Sequence, residues 1–235
     1  MNNQPTWLKT YSSTVELQEI LLDQIVAAKA NDVMAPVSFV VDTPMQGLLL
    51  RRQLGERLAT RGHKAVANLR VLTQADLVSE LADLCGIDNS VQPPASVIEA
   101  VIFALLADEG ENNKAQSLAT ANAIAKIYRE LQFVNTDNII SVAGNTDELS
   151  ETQRLVLRVV HKARGVVSKD FGATQISEIA TELGAKLSTA QARIAARLGT
   201  IASFTTVLPT AIEKIVSSLA EFAPVTHYQP AVSAS

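Results

Sequence analysis

Apolar and polar positions change rhythm along the chain, and each change predicts a different kind of element. Leu8-Lys9-Thr10-Tyr11 predicts a short first strand. Behind it, Val15, Leu17, Ile20, Leu21, Ile25 and Val26 recur at helical spacing, with Ser12, Ser13 or Thr14 as the N-cap. Asn31-Asp32 and Pro36 end that helix. The apolar run Val37 to Val41 fits a strand covered on both faces of a parallel sheet. After Pro44, Leu50, Leu54 and Leu58 mark one face of a second helix, which Arg61-Gly62-His63-Lys64 closes. A strand over 69–72 and a helix over 75–85 repeat the unit. Strand-helix alternation with short corners predicts a doubly wound α/β unit over residues 1–92.

The rhythm changes at Gln92-Pro93-Pro94. From Ala95 to Leu198 no strand is expected; the stripes Val97, Val101, Leu105, then Ile124, Ile127, Leu131, then Leu155, Leu157, Val160, then Ile176, Ile179, Leu183 predict helices. Polar turns are expected at Glu111-Asn112-Asn113, Asn135-Thr136-Asp137 and Gly144-Asn145-Thr146. Residues 93–198 therefore read as an inserted all-helical subdomain. Alternation resumes over 199–235: a strand over Thr200–Leu208, a helix over Thr210–Phe222 and a strand over Val225–Tyr228. Because the chain stops directly after a strand, it reads as the amino-terminal piece of something longer.

Composition narrows the function classes. With 47% apolar and 19% charged residues, the chain is expected to be soluble and globular. A net charge of −4 argues against a compact basic nucleic-acid module, but leaves room for a local basic stripe. The single Cys85 cannot form an intramolecular disulfide and reads as a buried packing thiol. His63, His161 and His227 share no ligand spacing, so no metal site is expected. The amino end lacks a signal-peptide pattern, and the apolar run Ala100–Ala107 falls far short of the roughly 20 residues that span a bilayer. A cytoplasmic protein without membrane contact is expected.

The chemistry concentrates where strands turn into helices. A nucleotide-binding corner would carry G-x-x-x-x-G-K-[ST], whose N–H groups and lysine hold phosphate. The first corner here is Thr10-Tyr11-Ser12-Ser13-Thr14-Val15-Glu16, with neither glycine nor lysine, and Glu16 repels phosphate. Ser12, Ser13 and Thr14 thus form a degenerate nucleotide loop, and no cofactor is expected. At the second corner, Thr43 and Pro44 lie at the carboxyl edge of a parallel strand, where ligands of α/β folds bind. Gln46 follows in the first turn, and Arg51 and Arg52 lie within reach of a strand backbone. Thr73 and Gln74 hold the analogous position on the next strand. Together these seven residues are candidates for a polar track suited to single-stranded DNA. On residue chemistry alone, the threonines serve equally well as helix caps and the arginines as solvated surface.

The ordered segments Leu8 to Ser13, Val37 to Arg52 and Ala67 to Leu77 resemble the amino-terminal part of inactivated superfamily-one helicase subunits. These are the AddB, RexB and RecC type subunits of bacterial ATP-dependent exonucleases, in which the two later corners are DNA-contacting motifs. The resemblance implies a P-loop-NTPase-like parallel sheet without a Walker A loop, interrupted by a helical insertion. It also implies a non-catalytic DNA-guiding or scaffold role in double-strand-break repair. The implied partners are DNA, as a single strand or duplex end, and a helicase-nuclease subunit of the AddA or RecB kind. Many members carry a carboxy-terminal nuclease with a D…(D/E)-x-K core. No lysine here has an acid two residues before it, so this chain holds no such centre.

A rival comes from another class. Ser177 to Gly184 followed by Leu187 to Gln191 resembles a helix-turn-helix, which makes residues 149–198 a candidate DNA-binding regulator. Its second helix offers few contacts, Lys186, Arg193 and Arg197. A small-molecule enzyme is poorly supported, since neither a dinucleotide loop nor a nucleophile elbow occurs.

Overall fold

A computed structural model describes residues 5–63, 66–89, 93–108, 114–134, 138–139, 141, 149–206 and 208–231, with the side chains of 114–117 left aside. The three polar turns expected between the helical stripes lie outside the described residues. The chain divides into two compact units, residues 1–86 with 183–235, and residues 87–182.

The first unit is α/β. Its strands are β1 (Leu8–Tyr11), β2 (Val37–Val41), β3 (Leu69–Thr73), β4 (Thr200–Ser203) and β5 (Val225–Pro230). They form one sheet in the order β1-β5-β4-β2-β3, with every pairing parallel. The two strands from the end of the chain therefore fill the gap between β1 and β2. β2 is buried along its whole length, as its apolar run demands.

Helix α1 (Thr14–Lys29) follows β1 and α2 (Pro44–Thr60) follows β2. Leu17, Leu21, Leu22 and Ile25 of α1 and Leu50, Leu54 and Leu58 of α2 pack with Val37, Phe39 and Val41 of β2, Ala202 of β4 and Tyr228 of β5. The stripe on α2 is the expected one. On α1 it is rotated, since Val15 stays 58% exposed while Gln18 is buried. Gln18 tolerates burial because its amide donates to Gln53 Oε1 of α2 at 2.8 Å. Glu19 bridges Arg57 and Arg61 across the same helix pair.

The alternate residues of β2 face the other way. Ser38 Oγ donates to Leu198 O at 2.8 Å, at the end of α8 (Gln191–Leu198). Arg70 of β3 makes a two-pronged bond to Glu80 of α3 (Gln74–Cys85), both contacts at 2.8 Å. Arg197 of α8 reaches the same carboxylate at 2.5 Å. Paired to two guanidiniums, chiefly Arg70, Glu80 is held at a pKa of about 2. The right-handed crossover rule puts α9 (Thr210–Ala220), between β4 and β5, on this side too. β4 is shorter than the apolar run suggested: its ladder ends at Ser203, with one more bond from Phe204 N to Val40 O at 3.1 Å. Cys85 is half-buried rather than enclosed.

The second unit is helical among its described residues. It holds α4 (Ala95–Asp108), α5 (Lys114–Glu130) and α6 (Glu151–Phe171). Helix α7 (Ile176–Lys186) runs across the division between the units. On α4 the most buried residues are Ile98, Ile102 and Leu106, one place on from the expected stripe; Val101 and Leu105 pack partly against the same core. The helix is apolar most of the way round, so periodicity alone does not fix its inner face. The rest of that core comes from Ile124 and Tyr128 of α5 and Val159, Val160 and Ala163 of α6.

Candidate nucleic-acid interface

Three strand-to-helix corners stand along the carboxyl edge of the sheet, and all three are built alike. A hydroxyl caps the helix, and the third helical residue reaches back to a backbone N–H. At the first corner, Ser13 Oγ accepts from Glu16 N at 3.1 Å, and the Glu16 carboxylate accepts from Ser12 N at 2.7 Å and from the Ser12 hydroxyl. At the second, Thr43 Oγ1 accepts from Gln46 N at 3.2 Å, and Gln46 Oε1 accepts from Asp42 N at 2.9 Å. At the third, Thr73 Oγ1 accepts from Asp76 N at 3.2 Å, and the Asp76 carboxylate accepts from Thr73 N and the Thr73 hydroxyl, both at 2.8 Å.

The electrostatics differ although the geometry repeats. Glu16 and Asp76 each place a carboxylate in a helix first turn, where the positive end of the helix would otherwise attract an anion. The Ser12 hydrogen bonds hold Glu16 below the usual carboxylate range. The degenerate loop of Ser12, Ser13 and Thr14 is thus capped by its own acid. Helix α2 has no acid in its first turn.

β2 and β3 are parallel neighbours, and the register Val41↔Thr73 sets the second and third corners side by side. Between them lies a groove of about 240 Å³ walled by Val41, Pro44, Gly47, Leu48, Arg51, Thr73 and Asp76 among others. Gly47 makes this close approach possible: a Cβ there would stand 2.6 Å from Val71 Cγ1. Arg51 has neither an ion pair nor a side-chain hydrogen bond among the described residues, whereas Arg52 pairs with Glu56 at 2.9 Å on the open surface. Met45, Leu48 and Leu49 are left 64%, 61% and 54% exposed beside the groove.

The expected track residues fall into two groups. Thr43, Pro44, Gln46, Arg51 and Arg52 lie together along the start of α2. Thr73 stands across the groove with its hydroxyl given to Asp76, and Gln74 is buried. The residues not foreseen are Gly47, Leu48 and Asp76. A hydroxyl followed three places on by Glu, Gln or Asp was the available signal for the self-capped corners.

The crevice between β2 and β4, where outgoing connections diverge to opposite faces, is where ligands of open α/β sheets bind. Here it is bridged: the Asp42 carboxylate accepts from Thr206 N at 2.9 Å and from Thr206 Oγ1 at 2.7 Å. Next to it, buried His227 meets Ser203 through Nδ1 and Oγ at 3.1 Å. Burial lowers the His227 pKa, which disfavours a positive charge on this ring.

The chain matches no protein-family model and no curated protein. Among the described residues, no group of His, Cys, Asp and Glu could hold a metal ion, and no helix is long and apolar enough to cross a membrane.

Proposed function

We propose that the sheet unit is a helicase-like domain without a working nucleotide pocket, retained to hold or guide DNA. In this reading its P-loop-like sheet has lost the Walker A loop. The domain serves a larger cytoplasmic assembly that processes DNA ends, alongside an ATP-driven subunit of the AddA or RecB kind. The observation that carries the reading is the α2 corner: a helix start without acid, an uncommitted arginine about two turns on, and a groove shared with the next parallel strand. A strand phosphate would sit at the helix start and meet Arg51, while bases lie on Met45, Leu48 and Leu49. The first corner supports the lost pocket, since Glu16 holds the N–H group that a phosphate would need.

The regulator reading is less well supported. In α8, Ile194 and Leu198 are buried and Arg197 is committed to Glu80, which leaves Arg193 as the outward cation. A recognition helix needs more free donors than that.

Fluorescence anisotropy with a labelled single strand tests the proposal on the full chain. Replacing Arg51 and Arg52 together by Ala should weaken binding roughly tenfold and flatten its salt dependence by up to about two ions. Unchanged affinity, or tight binding to one duplex sequence, would overturn it.

A further inference from the structure

Tyr228 of β5 packs into the core beneath α1 and α2, so strand alternation turns its neighbour His227 to the opposite face of the sheet. There the ring meets Ser203 of β4 through Nδ1 and Oγ at 3.1 Å, and the two residues are 4% and 2% exposed. Two places beyond Ser203, Thr205 is also 2% exposed, and its hydroxyl has no hydrogen-bond partner. A buried hydroxyl left alone in this way destabilises the closed arrangement around it.

Residues 204–206 form a short strap from β4 to the end of β2. Phe204 N donates to Val40 O at 3.1 Å, and the Asp42 carboxylate accepts from Thr206 N at 2.9 Å and from Thr206 Oγ1 at 2.7 Å. Asp42 makes no ion pair among the described residues, and Thr206 is the partner that holds its carboxylate. The charge of that carboxylate also acts on the His227 ring, as does the charge of Glu213 on α9, and both favour the protonated ring. β5 packs against β1, β4 and α9. The cations of those elements, Lys9 of β1 and Lys214 of α9, are exposed and do not act on the ring.

We infer that His227, Asp42 and the strap form an acid-operated latch on the crevice between β2 and β4. A neutral imidazole carries one N–H and a protonated one carries two, so protonation adds a donor and a positive charge beside the strap. The new charge competes with Thr206 for the Asp42 carboxylate, and water admitted by an opened strap stabilises it further. Burial holds the ring's folded-state pKa below its ordinary 6.5, so the closed form resists a proton that an open form accepts. The latch is therefore tightest above that ordinary value and loosens as pH falls through it towards the lowered one. Asp42 N also donates to Gln46 Oε1 at the α2 corner, so latch and groove share a residue, but the latch does not rest on the proposed binding of DNA.

Hydrogen exchange on the full chain, read amide by amide and corrected for the intrinsic rate at each pH, tests the latch. From about pH 7 to about pH 5 the protection of the Phe204 and Thr206 N–H groups should fall, by at most about tenfold per pH unit for a single proton. The His227 ring should titrate over the same range. Phe39 N–H, in the middle of β2, should stay better protected than Thr206 N–H throughout, because the strap opens without the sheet. In His227→Gln, which keeps a polar side chain but cannot titrate, Thr206 protection should no longer vary with pH, whatever its absolute level. Protection of Thr206 that is flat with pH in the parent would overturn the latch. So would a fall that persists in His227→Gln, or equal protection of Thr206 and Phe39, which would tie the ring to unfolding of the whole sheet.

Discussion

The β1–α1 and β2–α2 corners share one backbone design and differ in the charge of the side chain that closes it. In each, a hydroxyl caps the helix, and the side chain at the third helical position accepts from the N–H before the cap. At the first that acceptor is the charged Glu16; at the second it is the neutral Gln46. The first helix start therefore carries its own acid, while the second has none in its first turn. A helix amino terminus on a parallel sheet is a general anion site only where the sequence has not filled it with its own carboxylate. In the proposed helicase-like reading, a lost phosphate loop and a surviving neighbouring corner would follow from the same local chemistry.

The largest effect should come from closing the second corner physically. Gly47→Val would place a branched side chain where a bare Cβ already stands 2.6 Å from Val71 Cγ1. Helix α2 must then lift from β3, at a cost of about 1–3 kcal/mol, and the groove loses its floor. Denaturant unfolding should show the loss, and single-strand binding should fall with it. A Gly47→Val variant as stable as the parent would mean that α2 does not pack this tightly.

Much of this arrangement is legible in the sequence. The apolar run of β2 and the Leu50-Leu54-Leu58 stripe specify a buried central strand and the inner face of its helix, and both are found. The insertion of β5 and β4 between β1 and β2 is not legible, because parallel strands carry no local label for their neighbours. The candidate site is half legible. Thr43 and Thr73 stand at the expected edge, but what their hydroxyls bond to depends on Gln46 and Asp76 three residues on. Gln74 reads as a surface group because a two-residue motif says nothing of burial. In the helical unit Arg164 escapes a reading by periodicity, since a cation among Val160, Ala163 and Val167 breaks the apolar pattern. That break is itself the signal of a buried polar site.

An electrostatic change sharpens the comparison further without altering shape. Gln46→Glu keeps an oxygen that can accept from Asp42 N, and gives α2 the acid that α1 already has. Helix stability should rise by about 0.3–1 kcal/mol through the helix dipole. Single-strand affinity should drop, because the new carboxylate faces the phosphate position. Opposite signs in melting and in anisotropy are the expected pair. A gain in both would show that DNA, if bound, does not approach the start of α2.

The reverse exchange, Glu16→Gln, makes the first corner resemble the second and should have the smallest effect, since the group is exposed. Its sign with pH is still fixed. Hydrogen bonds from Ser12 hold the folded-state pKa of Glu16 below its ordinary value of 4.5. Its contribution is therefore complete above the unfolded-state pKa and is lost as pH falls through the lowered one. The Glu16→Gln variant should melt slightly below the parent at neutral pH, and the difference should vanish in acid. A gap that stays constant from about pH 6 to about pH 3 would show that the Ser12 contacts do not stabilise the charged form. Single-strand affinity in this variant should rise slightly if the carboxylate alone keeps phosphate from the first corner. With no change in affinity, the absence of glycine and lysine, rather than the acid, would be what keeps phosphate away.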